Sequence, residues 1–213
     1  MTSTDLADDL AALAPDLRGI DAQVADRLFR DARTVGRFLD RDVPDALVRE
    51  VHDVVRWGPT ALNTVPLRLL LVRSPQGRAR LATHMSEGNR ERVLAAPLTV
   101  VVAADADFHQ HMSRLTPHAA HLADVFAADP QGRERAARDN TWLQAGYLVV
   151  GLRAAGLGVG PMGGFDPAGI DDDLLAGTGW RSLLVLNVGW PDGPGTHHAR
   201  APRLEWDEVA RTV

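Results

Sequence analysis

The chain has 213 residues and a formal net charge of −5, and its 23 Lys+Arg positions are all arginine, with no lysine and no cysteine anywhere. Those zeros exclude a Schiff-base or P-loop lysine, a thiolate nucleophile, a cysteine-held metal cluster and any disulfide framework. Hydrophobic residues at 45% and charged residues at 24% are those of a globular protein, and without a basic run the chain has no nucleic-acid footprint.

Taken in chain order, Leu6, Leu10 and Leu13 share one helical face, Pro15 separates a second helix carrying Val24 and Leu28, and that helix reaches to about Asp31. Pro44 suits the first turn of a helix with Leu47, Val48, Val51, Val54 and Val55 on one side, ended by Gly58-Pro59. Residues 68–73 read as a short buried strand. Ser74-Pro75 caps a helix, a further helix spans 87–95, and Pro97 leads into a second strand over 98–104. The stretch 105–132 is the least regular and holds four of the eight histidines. A long helix is predicted over 135–155, with Trp142, Ala145, Val149 and Leu152 at helical spacing and Gly156 as its stop. A glycine-rich loop over 156–164, a helix started by Pro167 and a third strand over 182–188 complete one α+β domain. The opening residues lack the cationic start and apolar stretch of a signal peptide, and no apolar run is long enough to cross a bilayer. A cytoplasmic protein without membrane partners is expected.

Several patterns invite chemistry and fail on context. Gly158-Val159-Gly160-Pro161-Met162-Gly163 satisfies GxGxxG, but a helix precedes it and Pro161 removes a donor that a dinucleotide-binding turn needs. His109, His111, His118 and His121 lack the company of cysteine or an HExxH arrangement, so pocket-lining or solvated histidines and no metal are expected. Asp171, Asp172 and Asp173 read as the acidic surface near a helix start, and no GxSxG elbow supports a serine hydrolase. Two arginine groups remain. Arg33, Thr34 and Arg37 near the start and Arg200 and Arg203 near the end grip a phosphate dianion if the fold unites the two ends.

The Arg33-Thr34 turn, the run from Arg56-Trp57-Gly58 through Pro59-Thr60-Ala61-Leu62-Asn63-Thr64-Val65-Pro66, Glu87-Gly88-Asn89 with Ala96-Pro97, Gly160-Pro161-Met162-Gly163-Gly164-Phe165 and Arg200-Ala201-Pro202-Arg203 together resemble the nitroreductase family of FMN-dependent oxidoreductases. The resemblance covers residues 29–213 as a single FMN-binding domain and leaves 1–28 as a helical extension. Thr116-Pro117-His118 and the run 160–166 are most similar to the branch of malonic semialdehyde reductase, or 3-hydroxypropionate dehydrogenase.

The resemblance implies a mainly antiparallel sheet surrounded by helices and an intertwined homodimer with FMN at its interface. It implies NADPH or NADH as hydride donor and a small-molecule acceptor, with the flavin carrying the hydride. It places Arg33, Thr34, Arg200 and Arg203, with Arg37, at the phosphate and ribityl chain. Pro59, Thr60 and Asn63 reach the flavin from the partner, Asn89 meets the pyrimidine edge, and Pro161, Met162, Gly163 and Gly164 lie along the ring. His109, His111, His118 or a water supplies a proton. Other expectations it leaves open are a flavin enzyme of secondary metabolism, a nitro or quinone reductase, and a flavin-binding dimer without turnover. Val35 stands where the family usually offers serine, Phe38 follows Arg37 directly, and Val65 replaces the glutamine of an Asn-x-Gln-Pro pattern.

Overall fold

The computed structural model describes residues 21–193 and 199–213. The helix expected around Leu6, Leu10 and Leu13 lies outside the described residues. The first described element is a short α1 (Ala22–Ala25), capped by the Asp21 carboxylate accepting from Gln23 N and continued by a π turn over Asp26–Arg30. The other helices are α2 (Asp45–Val55), α3 (Pro75–Thr83), α4 (Glu87–Ala95), α5 (Met112–Leu115), α6 (Leu122–Ala128), α7 (Pro130–Ala154), α8 (Pro167–Leu174) and α9 (Trp206–Val209). Strands β1 (Leu67–Val72), β2 (Leu98–Asp105), β3 (Gly158–Met162) and β4 (Trp180–Gly189) form one sheet in the order β1-β2-β4-β3, antiparallel throughout.

The central strand β2 is buried along its whole length, which is why it reads as an unbroken apolar run. Its period of two divides the core. Leu98, Val100 and Val102 pack with Leu186 and Val188 of β4 against Val48 and Val51 of α2 and Ala145, Leu148 and Leu152 of α7. Val101, Ala103 and Val185 face the other way, against Leu81 of α3, Val93 of α4 and Ile170 of α8. Fully burying one such side chain contributes about 1.5–3 kcal/mol, so the two layers fix where the sheet edges lie.

Four expectations need correction. Residues 158–162 form an edge strand instead of a loop, so the sheet has a fourth strand. The long helix starts at Pro130, where the Asp129 carboxylate accepts from Gly132 N at 2.9 Å, because that cap and the N1 proline outweigh the polar composition of its first turns. Val54 and Trp142 share helices with core residues yet are exposed, since each sits at the margin of its apolar stripe. The acidic run 171–173 closes α8 instead of opening it, and two of its carboxylates have specific partners described below. Among the described residues, no helix is long and apolar enough to cross a membrane.

Candidate functional site

Helix α7 ends where Gly156 takes φ +82°, a conformation that favours glycine. Gly156 N donates to Arg153 O at 2.9 Å and Leu157 N to Leu152 O at 3.0 Å, closing the helix on its own backbone. The chain then enters β3, whose open edge is covered by the turn at 33–37. Thr34 bridges Val159 in parallel, and Val35 N donates to Val159 O at 3.1 Å. The glycines of β3 permit this approach: a Cβ on Gly160 would lie 2.6 Å from Val35 O, and one on Gly158 would lie 2.7 Å from Val35 Cγ2. Val35 is buried there, so its side chain packs against the strand. Pro161 is tolerated because β3 is an edge strand.

The C-terminal segment returns to the same place. Arg200 Nη2 donates to Ala32 O at 3.0 Å, so the segments around 32 and 200 meet across a cavity of about 1150 Å³. Arg33, Thr34, Arg37, Arg200 and Arg203 line it together with Gly160, Pro161 and Met162. Arg203 Nη1 folds back onto Ala201 O and Pro202 O, each at 3.0 Å, while Arg37 Nη2 stands 3.9 Å from the Asp192 carboxylate. Arg30, Arg92 and Arg153 bring the lining arginines to seven, and no Asp or Glu is among the described lining residues. Burial, and after it the Arg200 guanidinium, lowers the pKa of Arg153. This donor set suits an elongated ligand with a dianionic end, and the wall of Val35, Pro161 and Met162 suits a flatter apolar part.

Beside that wall, Gly164 O accepts from Ser86 N and from Asn89 Nδ2, both at 3.0 Å, and Asn89 Nδ2 also reaches Ser86 Oγ at 3.1 Å. A Cβ on Gly164 would come 2.6 Å from Ser86 Oγ, whereas one on Gly163 would meet nothing within 4 Å. The segment is tied further by Asp166 N donating to His84 O at 2.7 Å. The His84 ring lies 3.0 Å from Asp173, which also takes a two-pronged Arg80 contact, with Nε 2.8 Å from Oδ1 and 2.9 Å from Oδ2. Arg80 first, then His84, holds the Asp173 carboxyl at about 2. Asp171 Oδ1 accepts from Ser182 N at 2.8 Å, locking α8 to β4.

Asn89, Gly163 and Gly164, expected at the site, stand outside the lining of the cavity, and Pro59, Thr60 and Asn63 do not line the cavity of their own chain either. Polar residues of α7 hold their segment: Asn140 Oδ1 accepts from Ala61 N at 2.7 Å, Gln144 Oε1 from Leu67 N at 3.0 Å, and Tyr147 OH donates to Pro59 O at 3.2 Å. Within it Leu62, Asn63 and Val65 have φ of 54°, 50° and 41°. Such conformations cost about 1–3 kcal/mol each and persist only where surroundings enforce them. The restraints here are Thr116 Oγ1 donating to Leu62 O at 2.5 Å, Asn63 Nδ2 to Leu115 O at 2.8 Å and Arg68 Nη1 to Val65 O at 3.2 Å.

The histidines are dispersed. His109 and His111 share a 3₁₀ turn, His118 sits in another, and His121 directly precedes α6, so His118 and His121 do not share a helix face. Among the described residues no group of three His, Asp or Glu converges as metal ligands. Burial, then Arg133, lowers His109 from its ordinary pKa, and its Nδ1 is buried without a hydrogen-bond partner among the described residues.

The sequence reading missed Arg30, Arg92, Arg153 and Asn187 as cavity residues. Arg92 lies three residues beyond Asn89 on α4, a spacing that puts both on one face. Asn187 Nδ2 donates to Arg92 O at 2.8 Å and its Oδ1 accepts from Thr99 Oγ1 at 2.8 Å, a pairing across β2 and β4 that sequence spacing cannot display. Arg153 reads as an ordinary basic residue of a helix's last turn.

A helix-flanked antiparallel sheet with an arginine-lined cavity at its edge, framed by segments early and late in the chain, defines an α+β protein whose cavity carries the donors to accept an anion. The nitroreductase family model matches residues 30–190. A protein of Stenotrophomonas maltophilia (strain K279a) named "Putative NADH dehydrogenase/NAD(P)H nitroreductase" is 45% identical over 192 residues, 90% of this chain and 97% of its own. One of the same description from Streptomyces griseus is 46% identical over 194 residues, covering 91% and 98% of the two chains. The crystal structure of a nitroreductase family protein from Streptococcus pneumoniae TIGR4 superposes with a TM-score of 0.76 at 24% identity, over 87% of this chain and 98% of that one. That of a "putative nitroreductase" from Exiguobacterium sibiricum, solved in complex with FMN, gives 0.77 at 15% identity, over 88% and 96%. The chain belongs to the nitroreductase family.

Proposed function

We propose that this protein is an FMN-dependent NAD(P)H oxidoreductase. The observation that carries the reading is the cavity in which Arg33, Arg37, Arg200 and Arg203, from opposite ends of the chain, face the Gly160–Pro161–Met162 edge with no acidic residue among the described lining. Guanidinium forks match a terminal phosphate, and Thr34 adds a hydroxyl beside them. Pro161 and Met162 of the lining, with Gly163 and Gly164 just beyond them, would flank the ring system of a bound flavin, and Asn89, already anchored through its amide nitrogen to Gly164 O, would meet its polar edge. FMN, when bound, supplies the hydride chemistry, which explains how a chain without lysine or cysteine serves as a redox enzyme.

The working form is a homodimer in this proposal. The Pro59, Thr60 and Asn63 segment, held rigid but away from its own cavity, completes the cavity of the second subunit. Exposed Val54, Trp57, Trp142 and Leu143 on α2, α7 and the turn after α2, together with Leu204, Trp206 and Val209 near the C-terminus, supply apolar area for that interface. The acceptor proposed is malonic semialdehyde, reduced to 3-hydroxypropionate in the cytoplasm. Its oxygen takes a proton from a histidine of the 109–118 region or from water; His109, pushed toward its neutral form, is a poor standing acid. The test is anaerobic stopped-flow mixing of the flavin-loaded protein with NADH and with NADPH, followed by malonic semialdehyde, nitroarenes and quinones. Bleaching by a nicotinamide and reoxidation by malonic semialdehyde at least as efficient as by the others is expected. A flavin that neither nicotinamide bleaches overturns the enzyme reading, and preference for another acceptor overturns the substrate.

A further inference from the structure

Both chain ends supply arginines to the cavity, but Arg153 comes from neither. It stands in the last turn of α7 and lines the cavity with Arg33 and Arg200. A basic residue in that position ordinarily serves its own helix, by facing the final carbonyls and complementing the macrodipole. Here the helix end is already closed by backbone donors, Gly156 N on Arg153 O and Leu157 N on Leu152 O. The guanidinium instead crosses to the N-terminal segment, where Nη1 donates to Leu28 O at 3.2 Å. One guanidinium held beside a second costs free energy unless an anion lies between them. Arg200 is that second cation, close enough to lower Arg153 from its ordinary pKa. A smaller adjoining cavity of about 260 Å³ shares Ala32, Arg33, Val35 and Arg153, but Asp31 lines it too, and a carboxylate disfavours a phosphate there.

We propose that Arg153 is a phosphate ligand of the bound flavin nucleotide, gripping from the end of α7 the same dianion that Arg33, Arg200 and Arg203 grip from the chain termini. The inference rests on the FMN reading above. Because Arg153 is set by a closed helix end and a backbone contact, it offers a preorganised fork, and it selects FMN over the unphosphorylated flavin.

The test is fluorescence titration of the apoprotein with FMN and, separately, with riboflavin, for the wild type, Arg153→Gln and Arg153→Met, the last retaining the apolar stem if glutamine disturbs packing at Leu28. Both variants are expected to bind FMN roughly 10- to 100-fold more weakly, the loss of a charged hydrogen bond, while riboflavin binding is unchanged. Equal weakening toward both flavins marks a purely structural residue and overturns the proposal, as does unchanged FMN affinity. A wild-type protein that binds no FMN overturns the cofactor reading itself, so the two failures are distinguishable.

Discussion

Arg203 shows how a single side chain ties sequence to site. Its Nη1 rests on the carbonyls of Ala201 and Pro202, in a segment that Arg200 pins to Ala32, so its guanidinium is carried to the cavity by the path of the chain. Arg203→Ala is expected to weaken FMN binding by about 1.5–3 kcal/mol, measured by titration, and an unchanged affinity contradicts its placement at the phosphate. Asp173 makes a different kind of contribution, to stability. Its carboxyl is held at about 2, below the ordinary 3.8, by Arg80 and then His84. A depressed folded-state value means that its stabilisation is complete above the ordinary value and is lost as pH falls toward about 2. In urea midpoints followed against pH, Asp173→Asn is expected to flatten the fall across that acid window; an unaltered acid limb contradicts the linkage. Residue type made the arginines at 33, 37, 200 and 203 candidates and the family resemblance singled them out, and the fold brings all four to one cavity. Arg153 and Asn187 were not legible, since nothing local marks a helix-end cation or a strand amide as facing a cavity built by distant segments.

At the scale of elements, α7 does two jobs that its sequence mixes together. One face inserts Ala145, Leu148 and Leu152 into the core, while Asn140, Gln144 and Tyr147 hold the segment 59–67 by hydrogen bonds. Leu148→Ala is expected to destabilise the fold by about 2–5 kcal/mol in urea unfolding, because it is buried in the layer where α2, β2 and α7 meet. A change under about 0.5 kcal/mol, the range of ordinary surface substitutions, contradicts that packing. Periodicity and punctuation gave the bounds of 87–95 correctly and those of 68–73 within a residue, because the prolines at 66, 75 and 97 break the chain locally. The strand over 158–162 was hidden by its own composition. Glycine there ordinarily signals a turn, and the approach of Val35, joined at Gly158 by Pro191, both far away in sequence, explains why two positions of an edge strand exclude a Cβ. The positive φ values at Leu62, Asn63 and Val65 were equally invisible, since side-chain bonds from Thr116 and Arg68 and the Asn63 amide's bond to Leu115 O impose them.

For the whole molecule, the architecture joins three dispersed pieces: an N-terminal turn laid on β3, a C-terminal segment folded back over it, and the end of α7 between them. The family resemblance was readable over most of the chain because its motifs keep their order, and the family match covers 30–190. The Pro59, Thr60 and Asn63 segment does not line its own chain's cavity, a long-range arrangement that no local pattern reports. The most direct test of the account is reconstitution of the apoprotein with excess FMN, gel filtration, and measurement of the flavin retained. One FMN per chain, eluting with the protein, is expected; flavin that separates completely from the protein contradicts the central claim that this cavity is a flavin mononucleotide site.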